Sequence, residues 1–524
     1  MLLCKLTDIW SWLWDGVKGQ SFVLIAFTIL LIFCFILFGE KQTKKKSRPL
    51  PGPCGLPLVG YLPFLGSDLR WTFKDLATIY GPIFKVRLGL IDCIVVTSPS
   101  HAKEILKDQD VIFANRNPTV AGKLATFGAL DIAFNDYGPE WRKLKKIFVS
   151  QMFSSANFDA SYNLRKQHLK MMITKTYRRA GDVVDIGDLI FFTIFNSLMS
   201  MVWGDTMKGK HGDDIHKFDT DFRSLTADFM RLLGTSNVSD FLPFLGCLDL
   251  QGIRRRMKSV ADRIEMFFDL AIDNHFALNT NTQNDILGYL LELTKLKDPA
   301  KALSVPQVKA ILMDAIVGGM DTTATTAEWV MAELLKHPKI MKIVQDELAE
   351  TVGLTDTVEE VHIPKLKYLT AVLKETLRLH PPVALLVPHC SSKATTVGGY
   401  NVPKNSMVFI NMWAIHRDPK LWEDPLEFQP ERFLSNSENF DFSGNQHKYL
   451  PFGSGRRMCP GLSLADKMAI SVLSSMLHCF EWKLPTGNVD FDVSETFGLV
   501  VRKSKPTMAV PSPRLSKTEL YLDE

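Results

Sequence analysis

The chain has 524 residues, enough for two or three average domains or one large one, and its 46% hydrophobic and 23% charged content excludes wholesale disorder. Its formal net charge is +4, and five of its positive charges (Lys41, Lys44, Lys45, Lys46 and Arg48) fall in one short run. No diffuse basic excess remains, which argues against a nucleic-acid partner, and the 8 cysteines form neither a CxxC pair nor a Cys/His cluster of zinc-site spacing.

Taken from the N-terminus, residues 21–38 (SFVLIAFTILLIFCFILF) are an uncharged apolar run. As a helix it would be about 27 Å long at ~1.5 Å per residue, close to the hydrocarbon thickness of a bilayer. Basic residues follow it and no small-residue cleavage site closes it, so it reads as a retained anchor. The positive-inside rule then places residues 1–20 in the lumen, 21–38 across the membrane and the remainder in the cytosol. A basic and proline-rich linker, 39–60, contains Pro49, Pro51, Pro53 and Pro57, which preclude helix and favour a stiff extended segment. The body spans 61–524.

Beyond residue 70 the patterns are mostly helical, with short strand-like pieces at 83–87, 93–97 and 407–411. The clearest helix is 305–336: Ser304 and Gln307 make a capping box, Pro306 suits the first turn and Pro338 marks the end. Its middle carries Gly318 and Gly319, which cost a helix about 2 kcal/mol relative to alanine, followed by Met320, Asp321, Thr322 and Thr323. A long helix weakened at its centre marks a place where something must approach the backbone. The sequon-like Asn237-Val238-Ser239 faces the cytosol on this topology, so no glycan is expected there.

The most informative stretch is 452–461, FGSGRRMCPG. Glycines ahead of Cys459 permit tight turns, and a helical pattern begins at Gly461. Cys459 would lie at a helix N-terminus, where free N–H groups favour a thiolate. Arg457, two residues earlier, could pair with a nearby anion.

Phe452, Gly455, Arg457, Cys459 and Gly461 match the FxxGxRxCxG signature of cytochromes P450, and the chain resembles that family over nearly its whole length. The stretch from Gly318 to Thr322 resembles the [A/G]Gx[D/E]T segment of the family's long distal helix. Glu375 and Arg378 resemble its ExxR pair, and 430–433 (PERF) carries the matching Arg432. The resemblance implies a mainly α fold with a small β region, behind a single N-terminal transmembrane helix. It implies haem b ligated by Cys459, whose thiolate favours O–O cleavage, and a proton relay through Asp321 and Thr322. It also implies a structural triad of Glu375, Arg378 and Arg432.

For the haem propionates it implies Trp141, His389, Arg457 and position 145. Here the sequence departs from the pattern: Lys145 stands where arginine is usual, and Arg142 is the competing candidate. Phe452 belongs to the same cofactor cradle. By position, Phe127, Met313, Ile316, Val317, Val383, Leu386 and Phe497 should line the distal cavity.

The implied activity is that of a monooxygenase. It takes O2 and electrons from NADPH through cytochrome P450 reductase, with cytochrome b5 as an optional further donor, and sits in the endoplasmic reticulum membrane. Glu328-Trp329 and the 451–457 run (PFGSGRR) look most like plant microsomal A-type members. Segments 61–66, 237–242 and 385–388 resemble the delta-cadinene hydroxylase group more narrowly, which suggests a sesquiterpene substrate. The alternatives are a flavonoid or other phenolic hydroxylase, or a dehydratase or isomerase that dispenses with external oxygen; retention of Asp321 and Thr322 favours oxygen chemistry.

Overall fold

The computed structural model describes residue 28 and residues 48–204, 214–277, 285–434, 440–485 and 491–522. The lumenal segment and the anchor expected at 21–38 therefore lie, but for Thr28, outside the described residues. Among those residues one helix is long and apolar enough to cross a membrane, Ile186–Trp203, and 83% of it is buried inside the fold. It is a core helix.

Seven helices position the site: α1 (Leu69–Tyr80), α2 (Pro139–Ile147), α3 (Ile186–Trp203), α4 (Val305–Met313), α5 (Gly319–Lys336), α6 (Lys367–Leu379) and α7 (Leu462–Cys479). Strands are short. In chain order they are β1 (Ile83–Leu88), β2 (Ile91–Val96), β3 (Val184–Asp185), β4 (His389–Cys390), β5 (Thr395–Val397) and β6 (Tyr400–Val402). They continue with β7 (Met407–Ile410), β8 (Phe480–Lys483), β9 (Glu495–Thr496), β10 (Arg502–Lys503) and β11 (Met508–Pro513).

The largest sheet has the order β1-β2-β7-β4. β1 and β2 form a hairpin in which Leu88 faces Ile91, and β2 then runs parallel to β7 with Cys93 beside Met407. Gly89 makes the hairpin turn at φ +57°, and a Cβ there would stand 2.4 Å from the carbonyl oxygen of Phe241. The expected strands exist, with ends shifted by one or two residues.

The 305–336 helix exists as well, with its capping box intact: Ser304 accepts from the Gln307 N–H, and Gln307 reaches back to the Ser304 N–H. Its centre is more than bent. Residues Asp314–Gly318 form a π turn between α4 and α5. α5 packs against α3, α6 and α7 and is buried nearly all round, including Trp329 and Val330. A helix with no solvent face draws its stability from packing, about 1.5–3 kcal/mol for each large apolar side chain buried.

Candidate active site

Cys459 lies on a loop three residues before α7 begins. Its N–H donates to the Phe452 carbonyl over 3.0 Å, which ties the loop back on itself. Gly455 holds φ +66°, and a Cβ there would lie 2.0 Å from the Leu106 carbonyl oxygen, so only glycine fits. Burial pushes the Cys459 thiol up, opposed by a hydrogen bond from the Gly461 N–H and by the charge of Lys145.

The thiol opens onto a cavity of about 300 Å³. Phe452, Cys459, Gly461 and Ala465 contribute one wall; Ala315, Gly318, Gly319, Thr322 and Thr326 of the π turn and α5 contribute another. A Cβ on Gly318 would meet nothing within 4 Å, so this stretch of helix leaves open space beside the cavity.

Val383 and Leu386 line the cavity as expected from sequence, whereas Phe127, Met313, Ile316, Val317 and Phe497 do not. Met313, Ile316 and Val317 are packed into the main core. The lining positions 314, 315, 318, 319, 322, 323 and 326 fall on one side of the helix, centred on 315, whereas residues 316 and 317 lie about 100° and 200° around the helix from 315. Phe127 sits under the Lys309 ammonium, and Phe497 under the Arg70 guanidinium at 5.3 Å, on the wall of a second cavity.

The basic end of the cavity holds Trp141, His389 and Arg457, together with Arg116, which is not among the residues expected at the propionates. Arg116 donates from Nη1 to the carbonyls of Val387 and Pro388 at 2.5 and 2.9 Å. Arg457 donates to the carbonyls of Ala114, Ile132 and Asn135 and stacks on the Trp141 ring at 4.5 Å. The Trp141 indole N–H donates to the Ile132 carbonyl at 3.0 Å. Burial holds both guanidiniums below their usual range, Arg457 at about 10, and the two charges also repel across the site for Arg116. Burial and Arg116 keep His389 well below the usual imidazole range, so it is neutral; its Nδ1 faces the Phe113 carbonyl at 2.9 Å. Lys145 stands outside the lining but braces the cysteine loop, donating to the Arg456 carbonyl at 2.6 Å. Arg142 is exposed.

Two further acids meet here, also missed from sequence. Asp314, on the π turn, accepts from the Ile132 N–H at 2.6 Å and shares a hydrogen bond with Asp131. Burial raises both carboxyls, and the Asp131 carboxylate raises Asp314 further. Asp314 and the Ile132 N–H it accepts from are 182 residues apart in sequence. No local pattern announces them.

Thr322 and Asp321 diverge. Thr322 lines the cavity, its Oγ1 donating to the Gly318 carbonyl at 2.8 Å. Asp321 is buried outside the lining and accepts from Arg502 through Oδ1, while Oδ2 has no hydrogen-bond partner among the described residues. Burial raises its carboxyl against the pull of Arg502. The structure therefore brings one of the two expected relay residues to the cavity and ties the other to β10.

Glu375, Arg378 and Arg432 meet beneath the site. Arg378 forks onto Glu375 with bonds of 2.7 and 2.8 Å, both side chains wholly buried, and Arg432 approaches Glu375 at 3.4 Å. Arg378 also donates to the carbonyls of His416, Pro425 and Glu427, so the pair fastens the 416–427 segment to α6.

The family model for cytochrome P450 matches residues 50–510. The chain belongs to the cytochrome P450 family. Among curated P450 relatives, flavonoid 3'-monooxygenase of Arabidopsis thaliana is 36% identical, the match covering 94% of this chain and 97% of that protein. The 3,9-dihydroxypterocarpan 6A-monooxygenase of Glycine max is 36% identical over 94% of this chain and 98% of its own length. A zebra fish P450 solved with progesterone superposes with a TM-score of 0.74 at 27% identity, covering 86% of this chain and all of that one.

As a P450, the protein is an oxidoreductase that uses haem and electrons from NADPH delivered through a reductase. The cavity fits that cofactor: a thiol at one wall, open space at Gly318, and two buried guanidiniums whose mutual repulsion an anionic propionate would relieve. Cys459 would hold the iron, and Trp141, Arg116, His389 and Arg457 the polar edge. Cys459 would have to give up its proton to serve as that ligand, against the effect of burial and with help from the Gly461 N–H and Lys145.

Proposed function

We propose that this P450 hydroxylates a flavonoid or a related small phenolic. The observation that carries the reading is near-full-length similarity to relatives named as flavonoid and pterocarpan monooxygenases. The cavity supports it. The hydroxyls of Thr322, Thr323 and Thr326 all donate to helix carbonyls, which leaves their lone pairs to accept from a phenolic O–H. A sesquiterpene is the second reading, favoured by the wall of Phe148, Phe153, Ile194 and Leu198, which offers an apolar substrate continuous contact.

When bound, haem supplies the oxygen-activating chemistry. The chain's own residues do the rest. Cys459 is the thiolate donor, its charge steadied by the Gly461 N–H and Lys145. Gly318 leaves open space for a small gas molecule, and Thr322 offers a hydroxyl at that wall to hold water and pass a proton. The apolar side chains exclude bulk water. Anchoring in the endoplasmic reticulum through residues 21–38, with NADPH–cytochrome P450 reductase as electron donor and cytochrome b5 as an auxiliary, completes the proposal.

The test is co-expression with that reductase and incubation with NADPH, O2 and either a flavanone or a sesquiterpene hydrocarbon, read by mass spectrometry. An added oxygen on the flavanone supports the reading; turnover of the sesquiterpene alone replaces it with the second. Cys459→Ser should abolish both products and the thiolate-dependent carbon-monoxide band.

A further inference from the structure

Behind α5, away from Cys459, a chain of buried charges runs from Asp68 through Arg70, Glu495 and His380 to Glu333. His380 follows α6, and both of its ring nitrogens face carboxylates: Nδ1 lies 2.8 Å from Glu495 Oε1 and Nε2 2.8 Å from Glu333 Oε1. Carboxylates only accept, so a ring bonded to both donates from both nitrogens and is an imidazolium. The ring stacks on Trp329 of α5 at 3.9 Å and 2°. Glu495 is bound on its other oxygen by Arg70, which also pairs with Asp68 at 2.6 Å. His337 approaches Glu333 at 3.3 Å, and Arg417 adds a further buried charge near Glu495. Against the effect of burial, these bonds hold Glu333 below its ordinary range and Glu495 at about 2.

What this chain holds is the β9–β10 hairpin. Glu495 opens the hairpin, and Arg502 closes it on Asp321 of α5, so both strands are tied to one helix by charge. Its tip presents Phe497 and Gly498 to a cavity of about 710 Å³ that is separate from the one at Cys459. The tip is also pressed against a helix end: a Cβ on Gly234 would stand 2.2 Å from the Leu499 nitrogen. On its other side the Val501 N–H donates to the Pro382 carbonyl at 2.8 Å, and Pro382 lines the Cys459 cavity. The hairpin is thus the partition between the two cavities.

We propose that His380 is a positioning residue for ligand binding: by bridging Glu333 to Glu495 as a cation it fixes the partition between the outer cavity and the Cys459 cavity, and so sets how a bulky ligand fits. The assignment holds whichever small molecule is hydroxylated. It uses none of the groups that hold haem.

The probes are imidazole, and clotrimazole, an imidazole bearing a bulky triphenylmethyl group, each titrated into the purified holoenzyme and read by the Soret shift. His380→Gln can donate to only one carboxylate and leaves the cluster with an uncompensated charge; His380→Gln with Glu495→Gln restores the balance. The single variant should keep its carbon-monoxide band and its imidazole affinity while binding clotrimazole about tenfold more weakly, the scale of one charge-assisted hydrogen bond. The double variant should recover most of that loss. Unchanged clotrimazole affinity, an equal loss for both ligands, collapse of the carbon-monoxide band, or a double variant no better than the single one would each overturn the proposal.

Discussion

Thr322 lines the Cys459 cavity while its neighbour Asp321 turns out of it to pair with Arg502. One peptide bond separates a residue that faces the cavity from one that fastens a hairpin.

That division gives opposite expectations for the two substitutions. Thr322→Ala should raise NADPH consumption per product several-fold. Asp321→Asn should act mainly on ligand affinity, and Arg502→Gln should reproduce it. Stopped-flow NADPH oxidation alongside product yield separates the two, and an Asp321→Asn variant that only uncouples would return Asp321 to the proton relay.

Lys145 braces the cysteine loop from α2 through the carbonyl of Arg456. Lys145→Ala removes a charge-assisted hydrogen bond of about 1.5–3 kcal/mol and a positive charge that favours the thiolate. The expected result is faster haem loss and a smaller share of thiolate-ligated protein in the carbon-monoxide spectrum. Lys145→Arg should retain most of both.

Glu375 and Arg378 are fully buried and satisfy each other. Breaking such a pair from one side strands a charge, so Glu375→Gln should cost about 3–5 kcal/mol in denaturant unfolding, although the intact pair adds little net stability over an apolar replacement. A loss below about 1 kcal/mol would show the triad to be dispensable for folding.

The Asp131–Asp314 pair makes stability depend on pH. Burial raises both carboxyls in the folded chain above their unfolded value of about 4, and the Asp131 charge raises Asp314 further. Their contribution is therefore full below that value and is lost as pH rises through the raised folded-state range. The melting temperature should fall on going from mildly acidic to alkaline buffer, and Asp314→Asn should flatten the slope. An unaltered slope would mean the pair ionises freely.

What sequence made legible was local. The Ser304–Gln307 box, the glycines around Cys459 and the i, i+3 spacing of Glu375 and Arg378 each declare their geometry within a few residues, and each stands as read. The lining of the cavity did not, because Met313, Ile316 and Val317 lie on other faces of the helix from Ala315, and a helix apolar on every face does not declare which side meets the cavity. Asp314 and His380 were silent for another reason: their partners lie tens of residues or more away, and a lone charged side chain looks the same in a list whether it ends in solvent or in a closed network.

The parallel pairing of β2 with β7 has a consequence for biosynthesis. The strand at 91–96 emerges from the ribosome about 310 residues before its neighbour at 407–410 exists. At about 5–20 residues per second, the nascent chain carries that unpaired edge for roughly 15 to 60 s. The first third of the polypeptide must therefore be shielded from sticking to other strands until translation is four-fifths complete, which makes chaperone supply a determinant of yield.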